Sequence, residues 1–286
     1  MSKRLGFSVK IFIPSGEPEG PRLVEKSNWT GSGLVFPRSH FAQVRDREEL
    51  RRPGVYVLFE SGGAGQLPKV YVGEGDVLLQ RLDSHAKSKD FWTHGVAFTS
   101  KDQNLNKAHV RYLEARLVEL ADAAKRCVLD NTNIPQEPPL SEADKADAEL
   151  YLADMLLCLP VIGVSFFERP RKLTGKKQDL FLVAKGIQAR GFEEPGGFVV
   201  RTGSQAVKNE VASIHTYLSD LRKTLLNQGI LEDKGTTYRL AQDYFFTSPS
   251  TAAGTLLGMA SNGRTLWKNA DGQSLKEIQE AGVNKS

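Results

Sequence analysis

The sequence has almost none of the residues that tie a fold together through covalent links or a structural metal. Only two cysteines occur among its 286 residues, and Cys127 and Cys158 form neither a Cys-x-x-Cys pair nor a Cys/His spacing typical of zinc sites. Both lie in apolar helical patterns, which predicts two buried, reduced thiols and favours a cytoplasmic location. A chain of this length can bury enough apolar surface to fold without such links.

Long hydrophobic runs are also missing. No segment approaches the roughly 18 consecutive apolar residues that a membrane-spanning helix requires. Near the N-terminus, Ser8 and Lys10 interrupt the apolar residues, so this segment alternates like a β-strand and differs from a signal peptide. The sequence therefore predicts no membrane partner.

A large excess of one charge is missing as well. The net charge of +4 permits a nucleic-acid partner without requiring one. Basic residues are concentrated in a single segment, which is explained equally well by contacts with DNA phosphates and by a solvated linker. These residues are Arg169, Arg171, Lys172, Lys176 and Lys177.

Turn residues and hydrophobic patterns divide the chain into four segments and predict an α+β protein. Residues 1–50 form a β-rich N-terminal extension, and residues 51–165 form a small antiparallel β-sheet flanked by helices. Residues 166–185 are a basic linker, and residues 186–286 form a separate C-terminal α+β domain. In the second segment the predicted order is strand, strand, helix, strand, helix, helix.

A β-hairpin is predicted at the start of the second segment. Two runs rich in β-branched and aromatic residues, 55–59 and 69–73, lie on either side of a glycine-rich loop. Side chains alternate between the two faces of a strand. If the valines of both runs face the core, Tyr56 and Tyr71 share the opposite face, where their phenols lie close together.

Two helices with polar residues at regular spacing are predicted after the hairpin. The first begins after an N-cap at Asp76 and carries Arg81 and His85 four residues apart, on the same stripe. The second covers about residues 104–125 and places Glu114 at the edge of an apolar face. An unpaired carboxylate at such an edge is costly, so it requires a basic partner or a cation.

The two tyrosines, Arg81, His85 and Glu114, taken in their order along the chain, resemble the signature of the GIY-YIG nuclease family. Gly54-Val55-Tyr56 and Tyr71-Val72-Gly73 stand for the two triplets that give the family its name. Arg81 follows at the family's distance, and His85 lies one turn later, where several members place a histidine. Glu114 matches the glutamate that binds the metal on the downstream helix.

The family motif closes with an asparagine, for which Asn131 and Asn133 are the candidates and Asn131 is preferred. The resemblance covers roughly residues 50–135. Many members carry a lysine directly after the second triplet, whereas this chain has Glu74. Lys69, just before the triplet, is a possible substitute for that lysine and a possible contact for DNA.

The resemblance implies a metal-dependent endonuclease that hydrolyses phosphodiester bonds in DNA. One divalent cation, Mg²⁺ or alternatively Mn²⁺, would be held by Glu114 and otherwise mostly by water. No other cofactor is implied. The catalytic residues carried over from the family are Tyr56, Tyr71, Arg81, His85, Glu114 and Asn131.

Each of these residues has a role that the resemblance implies. Tyr56 would be the general base that activates a water molecule, and His85 would accept its proton. Arg81 would contact the scissile phosphate, and Tyr71 would bind the phosphate or its water. Asn131 would orient a loop or a phosphate oxygen.

Simpler explanations exist for the same residues. Strands favour tyrosine, so both tyrosines could serve packing alone. Glu114 could pair with Arg111 or Arg116 on its own helix. The alternative to a nuclease is therefore a catalytically inactive nucleic-acid-binding or adaptor protein on a nuclease fold, and Glu74 keeps that alternative open.

The C-terminal segment resembles a domain of unknown function, the DUF4357 type. That resemblance supports a domain label and supplies no activity. The matching residues are Gly203-Ser204-Gln205-Ala206, Leu221-Arg222, Gly229-Ile230-Leu231, Asp243-Tyr244, Ser248-Pro249-Ser250-Thr251-Ala252-Ala253, Asn262-Gly263 and Trp267-Lys268.

The residues of this segment also suggest a surface and a turn. Asn262-Gly263 predicts the turn of a two-residue hairpin. Trp267 either touches DNA bases or lies in the core, and the core is favoured because tryptophan is usually well buried. The basic residues that could line a DNA-facing surface are Arg201, Lys208, Arg222, Lys223, Arg264 and Lys268.

Overall fold

A computed structural model describes residues 6–60, 67–102, 104–168, 179–194 and 196–283. Helices and strands are mixed along the chain, which confirms the prediction of an α+β protein. The described residues fall into two compact units, one lying within residues 1–61 and 68–169 and the other within residues 62–67 and 170–286. No helix in the described part of the chain is long and apolar enough to span a bilayer.

The first unit is built on one sheet. Its strands are β1 (Val9–Phe12), β2 (Arg22–Lys26), β3 (Gly31–Pro37), β4 (Gly54–Phe59), β5 (Lys69–Gly75), β6 (His94–Ser100) and β7 (Val128–Leu129). Over the described ranges they form seven neighbours in the order β1-β2-β3-β6-β4-β5-β7. All pairs are antiparallel except β5 and β7, which are parallel. The N-terminal segment therefore supplies three strands to the sheet that carries the predicted hairpin.

Helices cover both faces of this sheet. They are α1 (Phe41–Val44), α2 (Leu78–Ser88), α3 (Lys107–Ala124) and α4 (Glu142–Cys158). Helix α3 begins after Asn106, whose side chain accepts hydrogen bonds from two main-chain N–H groups of the first turn. The predicted N-cap of α2 at Asp76 is wrong, because the Asp76 carboxylate pairs with Lys107 at 2.9 Å and Val77 takes the cap position.

Alternation along β4 separates the two halves of the core. Val55 and Val57 pack with Leu113 of α3 on one face. Tyr56 packs with Leu82 of α2 on the other face. Each fully buried aliphatic side chain contributes about 1.5–3 kcal/mol, and a slip of one residue would expose the whole set. The register that places Tyr56 between the sheet and α2 is therefore strongly fixed.

The second unit contains two smaller antiparallel sheets. Its strands are β8 (Leu180–Ala184), β9 (Ile187–Glu194), β10 (Gly197–Val200), β11 (Gln205–Val207), β12 (Leu231–Asp233), β13 (Thr237–Leu240) and β14 (Tyr244–Phe246). The first sheet has the order β14-β10-β9-β8, and the second has the order β11-β13-β12. Their inner faces share one hydrophobic core with the helices of this unit.

The helices of the second unit are α5 (Thr216–Asn227), α6 (Pro249–Leu257), α7 (Gly263–Leu266) and α8 (Leu275–Val283). The hairpin predicted at Asn262-Gly263 is wrong. The Asn262 side chain accepts a hydrogen bond from the Arg264 N–H at 3.1 Å and caps α7. A Cβ atom on Gly263 would lie 2.1 Å from the Pro249 carbonyl oxygen, so the glycine is required by close packing.

Two residues proposed for a DNA-facing surface lie in the core of the second unit. Arg222 is 1% exposed, and its guanidinium donates to Glu210 and to the carbonyl oxygen of Val207 at 2.9 and 2.6 Å. Trp267 is fully buried, and its indole N–H donates to the Pro249 carbonyl oxygen at 3.1 Å. The expectation for Arg222 is therefore wrong, and Trp267 has the favoured role of a core residue.

Candidate active site

Tyr56 is held against a glycine on the neighbouring strand. In the β4–β5 register Tyr56 pairs with Gly73, so both residues face α2. A Cβ atom on Gly73 would lie 2.4 Å from the Tyr56 hydroxyl oxygen. Because Gly73 of the second triplet has no side chain, there is space beside it for the phenol of Tyr56 in the first triplet.

Replacing Gly73 with alanine is expected to displace the Tyr56 ring. The new methyl group overlaps the phenol, so the free energy of unfolding should fall by about 1–3 kcal/mol in urea denaturation. Gly6→Ala is the matched control, because a Cβ atom there meets nothing within 4 Å. Equal stability of the two variants would show that the ring has room to move.

Tyr56, Tyr71 and His85 form one aromatic cluster. The ring centroids of Tyr56 and Tyr71 lie 6.2 Å apart. The His85 ring lies 4.8 Å from Tyr71 and 5.8 Å from Tyr56. The strand alternation and the position of His85 two turns into α2 are what bring these side chains together.

Three polar atoms of this cluster have no hydrogen-bond partner among the described residues. They are the Tyr56 hydroxyl oxygen and both ring nitrogens of His85, all of which are buried. An unpaired buried polar group costs about 1–3 kcal/mol. Such groups usually mark a place where a water molecule or a ligand binds.

The surroundings of the cluster fix its protonation states. Burial, followed by the neighbouring Tyr71, raises the pKa of Tyr56 above its ordinary value, and Arg81 opposes that rise only in part. Burial, followed by the charges of Lys89 and Arg81, lowers the pKa of His85 to about 4. At neutral pH the phenol is therefore protonated and the imidazole is neutral. A tyrosine that acts as a general base needs a lowered pKa, whereas the protein by itself raises the pKa of Tyr56 through burial.

Arg81 is the cation that these groups share. Its side chain is exposed on α2, and its charge acts on Tyr56, His85 and Glu114. It lies within electrostatic reach of the Tyr56 hydroxyl without a hydrogen bond of normal geometry. An exposed guanidinium beside a buried cluster is well placed to meet an incoming anion.

Glu114 is a half-buried carboxylate in an unfavourable environment. Burial, followed by the charge of Glu74, raises the pKa of Glu114 to about 7, while Arg81 and Arg111 oppose that rise. Arg116, a candidate partner from the sequence, instead pairs with Glu149 at 2.6 Å. The position of Glu114 on α3 thus brings a second carboxylate, Glu74 of β5, close to the first.

The donor set fits a hard divalent cation that keeps most of its water. Glu74 and Glu114 offer carboxylate oxygens, which Mg²⁺ prefers. Over the described ranges no group of three or more His, Cys, Asp or Glu side chains is arranged to hold a metal. The remaining ligands would then be water and substrate oxygens, as is usual for Mg²⁺ and unlike a closed zinc site.

Asn131 clamps the edge of the strand that carries Tyr71. Its amide oxygen accepts from the Val72 N–H at 3.0 Å, and its amide nitrogen donates to the Val72 carbonyl oxygen at 2.8 Å. This pair of bonds continues the parallel ladder between β5 and β7. The side chain of Asn133, the other candidate, is exposed. Asn131 therefore orients the main chain of β5, and that role uses one donor and one acceptor site of its amide.

Removing the Asn131 clamp is expected to destabilise the first unit. Asn131→Ala leaves both polar groups of Val72 without their partner, so the free energy of unfolding should fall by about 1–3 kcal/mol. Asn133→Ala, the control, should change it by less than about 0.5 kcal/mol. Thermal or urea unfolding of both variants measures the difference, and equal stabilities would contradict the clamp.

Two lysines near the cluster, Lys69 and Lys89, share the Asp130 carboxylate. Lys69 pairs with Asp130 at 2.8 Å and does not lie among the charges that act on Tyr56. Lys89, which the sequence analysis missed, also binds Asp130 and places its ammonium 4.2 Å from the centre of the Tyr71 ring. Its spacing of four residues after His85 was the signal that could have identified it.

The five basic residues proposed as DNA contacts in the linker lie outside the described residues. These are Arg169, Arg171, Lys172, Lys176 and Lys177. The candidate site of the first unit therefore consists of the aromatic cluster, Arg81 and the two carboxylates, with Asn131 supporting the strand behind it.

Comparison with known proteins identifies part of the second unit. The family model described as "Domain of unknown function (DUF4357)" matches residues 180–279. This confirms the second of the two family resemblances. No curated protein and no solved structure matches the chain, so the GIY-YIG resemblance of the first unit stays a prediction.

Proposed function

We propose that the first unit is a metal-dependent endonuclease that hydrolyses phosphodiester bonds in DNA. One observation supports this proposal. The phenol of Tyr56 is buried without a hydrogen bond of normal geometry, and the carboxylate of Glu114 is half-buried, so both groups lower the stability of the fold. The charge of one exposed arginine, Arg81, acts on both of them. Packing alone gives no reason to keep such groups together. A site for an anionic substrate and a cation does.

The carboxylates would hold the cation. Glu114, with Glu74 beside it, supplies oxygen ligands for Mg²⁺, and Mn²⁺ accepts the same donors. When bound, the cation would neutralise negative charge on the phosphoryl oxygens and help the leaving oxygen depart. Its charge would also cancel the repulsion from Glu74, which together with the larger effect of burial raises the pKa of Glu114 in the protein alone.

Tyr56 and His85 provide a path for the proton of the attacking water. Tyr56 keeps its proton at neutral pH. It can therefore accept a proton from water only if it gives its own proton to another group at the same time. His85 is neutral, close to Tyr56, and has both ring nitrogens unpaired. In this scheme water gives a proton to the Tyr56 oxygen while the phenol proton moves to an imidazole nitrogen.

Arg81 and Tyr71 would bind the phosphate. The guanidinium of Arg81 is exposed, always charged and shaped for two parallel bonds to phosphate oxygens. Tyr71 is half-buried beside His85, with Lys89 against its ring. Loss of one such preorganised donor typically lowers the rate by ~10²–10³.

The requirement for the cation should depend on pH. Because the pKa of Glu114 is raised to about 7, a cation that binds at lower pH must displace a proton. The Mg²⁺ concentration for half-maximal cleavage is expected to rise about tenfold for each pH unit below that value and to level off above it. Cleavage rates measured across Mg²⁺ concentrations and pH test this, and a constant requirement would contradict it.

The proposed activity is tested with a panel of DNA substrates. Labelled duplex, branched and single-stranded DNA are incubated with the full chain in Mg²⁺, in Mn²⁺ and in EDTA. Strand breaks are expected with at least one substrate in either metal and with none in EDTA. A folded protein that cuts no member of the panel would overturn the proposal.

The rival function is a catalytically inactive nucleic-acid-binding or adaptor protein. The observation that favours it is Glu74, whose carboxylate adds negative charge where an anionic substrate would approach. That function predicts DNA binding that Mg²⁺ leaves unchanged, together with the absence of strand breaks throughout the panel.

A further inference from the structure

The second unit carries an exposed apolar groove on the outer face of its four-stranded sheet. Phe181 and Val183 of β8 are 41% and 71% exposed, while Leu180 and Leu182, which alternate with them along the strand, lie in the core. The groove has a volume of about 410 Å³, which lies within the range of small-molecule and cofactor sites. Large apolar side chains at the surface of a groove usually mark a binding site.

Polar side chains form the other walls of the groove. Arg190 and Gln188 of β9 lie directly opposite Phe181 and Val183 in the β8–β9 register. The far wall is formed by Ser204 and Gln205. It is tied to β9 because the Ser204 hydroxyl accepts from the Arg190 N–H at 3.1 Å. The groove is therefore part of the folded unit and does not require a loop to close.

The charged side chain that lines the groove is a cation, Arg190. Within the described part of the chain, neither Arg190 nor Arg239 has an ion pair. Arg239 lies opposite Gln205 in the three-stranded sheet, so its side chain leaves the sheet on the side of the groove. The acid next to Arg239, Glu232, is already paired with Lys234 at 2.8 Å.

We propose that this groove binds single-stranded DNA, with a base stacked on Phe181 and the backbone phosphates held by Arg190 and Arg239. Aromatic side chains combined with a positive groove are the usual means of binding single strands. Bases in a duplex are stacked on each other, so the exposed ring of Phe181 reaches the face of a base only in an unpaired strand. Guanidinium groups match the geometry of phosphate oxygens.

A peptide that extends the sheet fits this surface less well. Strand β8 is the last strand of its sheet, but part of its outer edge is occupied by the main chain of Lys268. The Phe181 N–H donates to the Lys268 carbonyl oxygen at 2.6 Å, and the Lys268 N–H donates back at 2.9 Å. The groove is lined by the Arg190 guanidinium and by no carboxylate, and Arg239 lies beside it, opposite Gln205, which complements an anionic chain.

Binding is measured by fluorescence anisotropy with the full chain in EDTA. The probes are a labelled single-stranded oligonucleotide and a duplex of the same sequence. The inference takes DNA as the partner from the proposed function, but EDTA removes the metal, so a failure of cleavage and a failure of binding are separate results. Melting curves establish that each variant is folded.

Phe181→Ala is expected to weaken binding of the single strand about 5- to 100-fold, which is the range for one stacked base. The affinity for the duplex should fall by a smaller factor. Arg190→Ala should lower the slope of log affinity against log salt by about 0.7, the value for one phosphate of a single strand, and Arg190→Lys should restore it. Phe12→Ala and Lys276→Ala are the controls, because both residues are exposed, lie outside the groove and belong to no surface proposed to bind DNA.

The proposal is overturned if folded Phe181→Ala and Arg190→Ala bind the single strand as tightly as the wild type does. If Phe181→Ala lost the same affinity for the single strand as for the duplex, the proposed stacking of a base on Phe181 would be overturned. Absence of single-strand binding by the folded wild type would overturn the proposal as well.

Discussion

Replacing Glu114 with glutamine is expected to make the protein more stable near pH 8 while it abolishes DNA cleavage. Burial and the charge of Glu74 raise the pKa of Glu114 from an ordinary value of 4.5 to about 7. In the unfolded chain this carboxyl ionises near its ordinary pKa, whereas in the folded protein it resists ionisation. The folded state therefore loses stability as the pH rises from about 4.5 to about 7, and the loss is complete above that range.

Glutamine keeps the shape of the side chain and removes its charge. After allowance for partial exposure, the expected gain in the free energy of unfolding near pH 8 is about 1–3 kcal/mol, and it should vanish below about pH 4.5. Cleavage in Mg²⁺ should fall by ~10²–10³ or more, because the cation loses its charged ligand. Thermal unfolding in EDTA measures the gain, and cleavage of a DNA substrate measures the loss.

Glu119→Gln is the matched control for Glu114→Gln. Glu119 lies on the same helix, is 54% exposed and pairs with Arg116. Exposed pairs of this kind contribute little, so stability should change by less than about 1 kcal/mol and cleavage should persist. A Glu114→Gln protein that melts below the wild type near pH 8 would mean that the carboxylate has a stabilising partner and is not kept for a cation.

Replacing Tyr56 with phenylalanine is expected to remove cleavage without destabilising the protein. The Tyr56 hydroxyl is buried and has no hydrogen-bond partner among the described residues. Its removal costs no more than the contact with the exposed Arg81 guanidinium and relieves the desolvation of a polar group, so the free energy of unfolding should stay constant or rise by about 1 kcal/mol. The rate of cleavage should fall by ~10²–10⁴, the contribution of a general base.

Tyr112→Phe separates this effect from the ordinary role of a buried tyrosine. The Tyr112 hydroxyl donates to Glu149 at 2.7 Å, and the ring is 1% exposed. Its removal should lower the free energy of unfolding by about 1–3 kcal/mol and leave cleavage intact. If Tyr56→Phe behaved like Tyr112→Phe, Tyr56 would be a packing residue, as the simpler explanation from the sequence holds.

The parts of the site that could be predicted follow from local periodicity. The strict alternation in the two hairpin strands places Tyr56 and Tyr71 on the face opposite the valines, and their rings lie 6.2 Å apart. The spacing of Arg81 and His85 likewise gives one helical stripe that faces the strands. A period of two or of 3.6 residues depends on neighbours in the chain, so the sequence is sufficient.

The parts that could not be predicted depend on contacts between distant segments. The Asp76 carboxylate turns away from its predicted cap because Lys107 pairs with it. Asn131 has its role only because β7 returns beside β5 as a parallel strand of two residues, too short to give a pattern. Lys89 meets Tyr71 through the docking of α2 on the sheet.

The second unit illustrates the same limit for charge. Arg222 was expected at the surface because isolated arginines are usually exposed. In the structure its guanidinium donates to Glu210 and to main-chain carbonyl oxygens, so burial is compensated by hydrogen bonds. Such compensation depends on loops that meet only in the folded unit, and the sequence pattern of α5 does not reveal it.

The most direct test of the proposed nuclease site is the nicking of supercoiled plasmid by wild type, Tyr56→Phe and Glu114→Gln, side by side in Mg²⁺ and in EDTA. We expect nicking by the wild type in Mg²⁺ alone and none above background by either variant, although both variants should be at least as stable as the wild type near pH 8. Equal nicking by all three proteins would contradict the proposed site, and no nicking by the folded wild type on this or any other DNA substrate would contradict the proposed function.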